Sequence, residues 1–511
     1  MEFSFNHYAV VDCACAEVAL LPLRDTPFEE QPPAKSAVPE DIDIHPWSSV
    51  NVPLSFDCLY DGTVRFMPSS TYTTKYVLCT ATKYTTKNAL LVFLVGGTLP
   101  SWRTGVARAR LLPKDADAEK SIEELIEARG YPVESHQVVT DDGYVLGLYR
   151  IPRGRVEIEE ASQTRTGMTT AGCDGASRAP VLIMHGLLAS AITWVTNYAD
   201  QSLGYVLADA GYDVWLGNIR GSTLSRKHVN ISADSEVRFW NFSFQEMIEY
   251  DVPATIDYIL RETGKSKLGY VGHSQGTLVM FGLLSAAPAY NDKVALFVAL
   301  APIIAPVHSI MIAKQQLLAM SEMPAIRSTV LKIGPIGEHG PPWKEIADKP
   351  CRTEESLSLC EATWNTIFGR SVMLNRSRLH VYLSQVPAGT SWKNLLHFAQ
   401  LIKTGRFCKY DYGAAKNKGI YDQTVPPCYP LEDIRNPVAI FWGDGDALSR
   451  PQDIDRIRSR VSSIVFDERV GSGPFSHADF VYGVDAKRVL HDRIVQVLRQ
   501  FYSMCRPQSS E

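Results

Sequence analysis

No stretch of the 511-residue chain is an apolar run long enough to cross a bilayer, which takes about 20 residues. Charge of one sign is equally scarce. A formal net charge of −5 gives no electrostatic case for nucleic acid or for an anionic membrane surface. Ten cysteines are too few for a disulfide scaffold, and none has the paired C-x-x-C spacing of a zinc site. The closest pair, Cys13 and Cys15, reads as two unrelated thiols. The extreme N-terminus (Met1-Glu-Phe-Ser-Phe-Asn6) has no basic region, so no secretory signal is read there. What remains is an ordinary globular composition, 45% apolar and 21% charged, with length for a large core plus attached parts.

A signal-like pattern lies inside the chain instead. Lys75, Lys83 and Lys87 precede the apolar run Ala89–Leu99, and Ala107-Arg-Ala109 has the small residues of a cleavage site. Two readings stand. Either translation begins at Met67, or residues 1–116 are an unremoved extension carrying this segment at about 67–109. A buried strand at 89–95 is the plain alternative.

Organised structure is expected from Asp117. An amphipathic helix ends at Gly130, a hairpin turns at Asp141-Asp-Gly143, and residues 153–179 form a polar surface loop holding Cys173. From Pro180 the rhythm becomes strand then helix, with strands at 181–184, 212–216, 268–272 and 293–300. It stops near Ala301 and resumes at 437–442 and 463–466, before a C-terminal helix from Asp485 to Met504. Such alternation implies an α/β fold with a mostly parallel central sheet and helices on both faces. The core is then 117–304 with 431–505, and 506–511 is a tail. Residues 305–430, richer in Met, Trp and helical patterns, form a cap over the carboxyl ends of the strands, where ligands bind in open sheets.

The chemistry starts at Leu268-Gly-Tyr-Val-Gly-His-Ser-Gln-Gly276. A short strand, a G-x-S-x-G turn and an apolar helix make a nucleophile elbow that exposes Ser274. Glycine is needed at 272 and 276 because a side chain would collide across so tight a turn. A serine hydroxyl needs a histidine to take its proton, and the histidine needs a carboxylate to fix its tautomer. In this order of elements those partners follow the serine. Two histidines lie beyond the last long strand. His477 sits in the Gly/Pro-rich loop 471–480 and is the candidate base, whereas His491 reads as a helix-surface residue. Gly443-Asp-Gly-Asp446 leaves the strand at Trp442, and spacing alone does not separate Asp444 from Asp446. Backbone N–H groups of Gln275, and of Leu187 in His185-Gly-Leu-Leu188, are the candidate oxyanion donors.

These stretches resemble the acid lipase family of α/β-hydrolases. The resemblance is carried by Arg129-Gly-Tyr-Pro132, His185-Gly-Leu-Leu-Ala-Ser190, Gly217-Asn-Ile-Arg-Gly221, Phe239-Trp-Asn-Phe-Ser243, Gly272-His-Ser-Gln-Gly276, Pro387-Ala-Gly-Thr-Ser391 and His477-Ala-Asp-Phe480. It runs over about residues 118–505. It implies Ser274 as nucleophile, Asp446 as acid, His477 as base and a disulfide between Cys351 and Cys360 in the cap. The chain departs from the family with Asp444 in place of a Gly and Ser449 in place of an Ala. Asp tolerates a left-handed conformation, so the turn is expected to survive. Cys408 and Cys428, outside the family pattern, form a further candidate bridge. Sequons at Asn230, Asn241 and Asn375 fit a secretory route to the lysosome or the outside. The expected function is hydrolysis of neutral lipid esters at an interface, with no metal and no organic cofactor. A lipid-binding homologue without turnover and a hydrolase of non-lipid esters are the alternatives.

Overall fold

A computed structural model of the protein describes residues 115–155, 178–310, 313–337 and 351–502. The signal-like segment, Met67, the strand expected at 89–95, Cys173 and the tail lie outside the described residues. Where a helix was expected from Asp117, a 3-10 turn (Ala116–Ala118) precedes helix α1 (Ile122–Ala128). Ser121 sets the start. Its hydroxyl accepts the Glu124 N–H, and the Glu124 carboxylate accepts the Ser121 N–H at 2.7 Å. Asp117 is instead consumed in ion pairs with Lys120, Arg129 and Arg378.

Eight strands follow: β1 (Glu134–Val139), β2 (Tyr144–Ile151), β3 (Pro180–Met184), β4 (Asp213–Gly217), β5 (Leu268–His273), β6 (Val294–Leu300), β7 (Val438–Trp442) and β8 (Ile464–Arg469). They pair in the order β1-β2-β4-β3-β5-β6-β7-β8, and a two-residue strand, Lys227–His228, joins β2. β1 and β2 are antiparallel to their neighbours, and every pairing from β4 through β8 is parallel. Burial follows from that. β3, β4 and β5 are buried at every position, because helices cover both faces of a parallel sheet.

Helix α2 (Gln275–Ala286) follows β5 directly. Its run Gly-Thr-Leu-Val-Met-Phe-Gly-Leu-Leu is apolar all round, and residues 275–285 are buried throughout. The chain leaves β3 towards β4 on one side and β5 towards β6 on the other. The carboxyl ends of β3 and β5 therefore border the crevice where strand order reverses, the place where ligands bind in such sheets.

Between β6 and β7 the chain makes helices at Ala313–Glu322, Pro324–Ile333, Glu354–Phe368, Trp392–Thr404 and Ala414–Tyr421. Its one described strand pair, Pro335–Ile336 with Thr390–Ser391, is antiparallel. Two disulfides lie in this insertion, Cys351–Cys360 and Cys408–Cys428. The C-terminal helix begins with a π turn (Lys487–His491) before Asp492–Phe501, and His491 is fully buried there. That corrects its reading as a surface residue. Ile494, Val495 and Leu498 lie three, four and seven positions on, so His491 shares their apolar face.

Candidate active site

The turn from β5 into α2 is the most strained point of the site. Ser274 takes φ 54° and ψ −119°, a region that a non-glycine residue enters only when its surroundings force it. Three bonds do so. The Ser274 N–H donates to the Leu300 carbonyl of β6 at 3.0 Å, and the Ser274 carbonyl accepts the Thr277 N–H at 2.8 Å and its hydroxyl at 2.7 Å. The glycines act by close approach. A Cβ on Gly272 would lie 2.6 Å from the Gly276 carbonyl oxygen, and one on Gly276 would lie 2.5 Å from that of Met184.

At the carboxyl ends of β7 and β8 the structure brings His477 and Asp446 together. His477 Nδ1 and Asp446 Oδ2 are 2.8 Å apart, with both residues nearly inaccessible to water. The other carboxylate oxygen, Oδ1, accepts the N–H groups of Leu448 and Ser449 at 2.7 and 2.8 Å. Asp444 is exposed and pairs with Arg469 at the end of β8. Its backbone is not left-handed, since the non-glycine residues of positive φ among those described are Leu188, Ser274, Ala301 and Asp422. Glycine is needed instead at its neighbours. A Cβ on Gly443 would overlap the Phe475 carbonyl, and one on Gly445 would lie 2.9 Å from the Phe475 nitrogen. Ser449, the second departure, donates its hydroxyl to the Pro302 carbonyl at 2.7 Å.

A contact the sequence did not reveal links serine and histidine loops. His273 Nε2 lies 3.0 Å from the His477 carbonyl oxygen. A carbonyl only accepts, so this nitrogen carries the proton. Burial, and then the neighbouring His477, hold His273 well below the usual histidine value, and it stays neutral. Its place inside the G-x-S-x-G motif was the one available signal.

Gly186 lies against the serine. A Cβ there would come 3.0 Å from Ser274 Cβ, so a side chain at this position would push the loop after β3 and the elbow apart by a few tenths of an ångström. Leu188 has φ 60°, and its carbonyl accepts the Ala388 N–H at 2.6 Å, which fixes the loop carrying the Leu187 N–H. The Gln275 N–H is the first of α2 and so has no acceptor within the helix. Sequence reasoning also missed Asn394. It donates to the Gln275 side-chain oxygen at 2.8 Å and accepts the Phe244 N–H at 2.8 Å, which anchors helix Trp392–Thr404 to the core.

Above the site, Leu187 packs against an apolar cluster of the insertion that includes Leu317, Val330, Ile336 and Trp392. Ser274 is 6% exposed and His477 3%. This conformation is closed to a bulky substrate. No group of three or more His, Cys, Asp or Glu among the described residues could hold a metal ion.

Strand order, elbow and crevice together define an α/β-hydrolase. Residues 179–480 match the family model described as alpha/beta hydrolase fold, and residues 122–198 match the partial alpha/beta-hydrolase lipase region. Gastric triacylglycerol lipase of Bos taurus is 37% identical over 393 residues, covering 76% of this chain and 94% of that one. Lysosomal acid lipase/cholesteryl ester hydrolase of Homo sapiens is 35% identical over 428 residues, covering 81% and 98%. Lipase member K of Homo sapiens is 35% identical, covering 75% and 92%. The chain belongs to the acid lipase family of α/β-hydrolases and is by class a carboxylic ester hydrolase.

Proposed function

We propose that the protein is a serine lipase that hydrolyses ester bonds of neutral lipids, with Ser274 as nucleophile, His477 as base and Asp446 as acid. The observation that carries this is the buried 2.8 Å contact between His477 and Asp446, on loops at the same sheet edge as the strained Ser274. Ser274 Oγ attacks the ester carbonyl carbon while His477 Nε2 takes its proton. The N–H groups of Leu187 and Gln275 receive the oxyanion. His477 then protonates the leaving alcohol, and a water that it activates releases the fatty acid from the acyl-enzyme. Asp446 holds the imidazole by its other nitrogen and stabilises the imidazolium.

The insertion acts as the cap. Its apolar cluster beside Leu187 suits acyl chains, and its displacement at a lipid surface admits them. The relatives named for triacylglycerol and for cholesteryl ester support a neutral lipid as substrate. Emulsified triolein, cholesteryl oleate and a soluble short-chain ester, compared side by side, test this. Hydrolysis of at least one emulsified lipid is expected. Cleavage of the soluble ester alone would mean that the enzyme is an esterase of another substrate class.

We also place the chain in the secretory route, towards lysosome or exterior. Two disulfides and the exposed sequon residues Asn230 and Asn241 support it. Asn375, half-buried, accepts a bond from the Ser377 hydroxyl and is the weakest acceptor of the three. Protein from a secretory host should drop in apparent mass on treatment with peptide N-glycosidase. An unchanged mass would remove the sequons as support for this route.

A further inference from the structure

The insertion's helix Glu354–Phe368 ends against both loops that carry the acid and the base. Its last carbonyl, Phe368 C=O, accepts the N–H of His477 at 3.0 Å and the N–H of Ala447 at 3.3 Å. One carbonyl oxygen is thus shared by the base itself and by the residue after the acid. The next residue, Gly369, has φ 97° and ψ 165°, a region open to glycine alone. A Cβ there would overlap the Gly445 carbonyl and would lie 2.8 Å from the Ala447 nitrogen. The approach is reciprocal, since a Cβ on Gly445 would lie 3.0 Å from the Arg370 carbonyl.

A third hold follows two residues on. The Ser371 hydroxyl donates to Asp479 Oδ1 at 2.5 Å, and Asp479 Oδ2 accepts the N–H of Ser476, beside the base, at 2.7 Å. Asp479 is buried, and desolvation raises it above the ordinary carboxylate range.

We propose that the turn Phe368–Ser371 sets the register between the acid and base loops, with Gly369 and Ser371 as positioning residues. This rests on the reading of Asp446 and His477 given above. Neither residue need touch substrate. They act by holding the Asp446–His477 geometry, and a displacement of about 1 Å in such a geometry can cost about 10²-fold in rate.

Gly369→Ala in the full chain, assayed on a soluble p-nitrophenyl ester, tests the proposal. Its kcat should fall about 10²-fold with KM changed by about twofold or less. Gly413→Ala is the matched control, because Gly413 has φ 91° and ψ 151° but nothing within 4 Å of its Cβ position. That variant bears the same backbone strain and should keep its kcat. A double variant with Asp446→Asn should lose no more than Asp446→Asn alone, since both act on one pair. Equal kcat in Gly369→Ala and Gly413→Ala, or losses that multiply in the double variant, would overturn the proposal. If Gly369→Ala does not fold, Ser371→Ala decides. A kcat reduced about tenfold at constant KM supports the proposal, and an unchanged kcat overturns it. Should Asp446→Asn itself stay fully active, the acid assignment fails. Should it be inactive while Gly369→Ala and Ser371→Ala keep wild-type kcat, only the role of this turn fails.

Discussion

Replacing Ser274 by alanine lowers ester hydrolysis by about 10⁵-fold or more and leaves the protein folded. The rate falls so far because the oxygen that attacks the ester carbonyl, and with it the acyl-enzyme route, is removed. The fold survives because alanine keeps the Cβ that already fits beside Gly186 and keeps the three bonds made by the backbone of residue 274, to Leu300 and to the N–H and hydroxyl of Thr277. Alanine also inherits the strain of φ 54°. Glycine does not, so Ser274→Gly, equally inactive, should be more stable than Ser274→Ala by about 1–3 kcal/mol. Denaturant melts of the two variants read this difference. A glycine variant no more stable than the alanine one would mean that the elbow is not strained.

The two aspartates after β7 provide the second large effect. Asp446→Asn should reduce kcat by about 10⁴-fold, because an amide at that position favours the wrong imidazole tautomer and cannot stabilise the imidazolium. Asp444→Asn should change kcat by about twofold or less, because it removes only an exposed ion pair with Arg469. Steady-state kinetics on a soluble ester separate the two. A large loss in Asp444→Asn would show that this carboxylate does more than pair with Arg469.

How far the site was legible depended on which signal each residue carries. The elbow was readable because a strand, two glycines and an apolar helix each have a local sequence signature. His477 was readable because chain order left two histidines, and one sat in a loop after a strand. Asp444 and Asp446 share the same turn, and residue type is blind to which one faces inward. The family resemblance pointed to Asp446, and the structure holds it towards His477 through the Leu448 and Ser449 N–H groups and the close packing of Gly443 and Gly445 against Phe475 and Arg370. His491 was misread through its neighbour Asp492, although its apolar partners at helical spacing pointed to burial. Asn394 and His273 act through side-chain contacts across more than a hundred residues, which no local pattern encodes. The turn at Phe368 is less visible still, since a backbone carbonyl has no residue type.

Among helices, the start of α1 is set by the capping box at Ser121, a few residues beyond Asp117, where the sequence reading began the helix. Asp117, taken for the start of a helix, is instead held by Arg378, a residue of the insertion, 261 positions further along the chain. Arg378 also donates to Asp115 and to the Thr196 carbonyl, so the first described residues, the core and the insertion meet at one buried guanidinium. Distant ion pairs of this kind override local propensity, and they explain why boundaries were less legible than the elements themselves.

The central claim is that Ser274 is the nucleophile of an ester hydrolase. Titration of the folded protein with a fluorophosphonate, followed by peptide mapping, tests it most directly. Activity should fall in proportion to label, reaching zero at one equivalent, with the adduct on Ser274. An active protein left unlabelled at Ser274, or one inactivated by an adduct on another residue, would contradict the assignment.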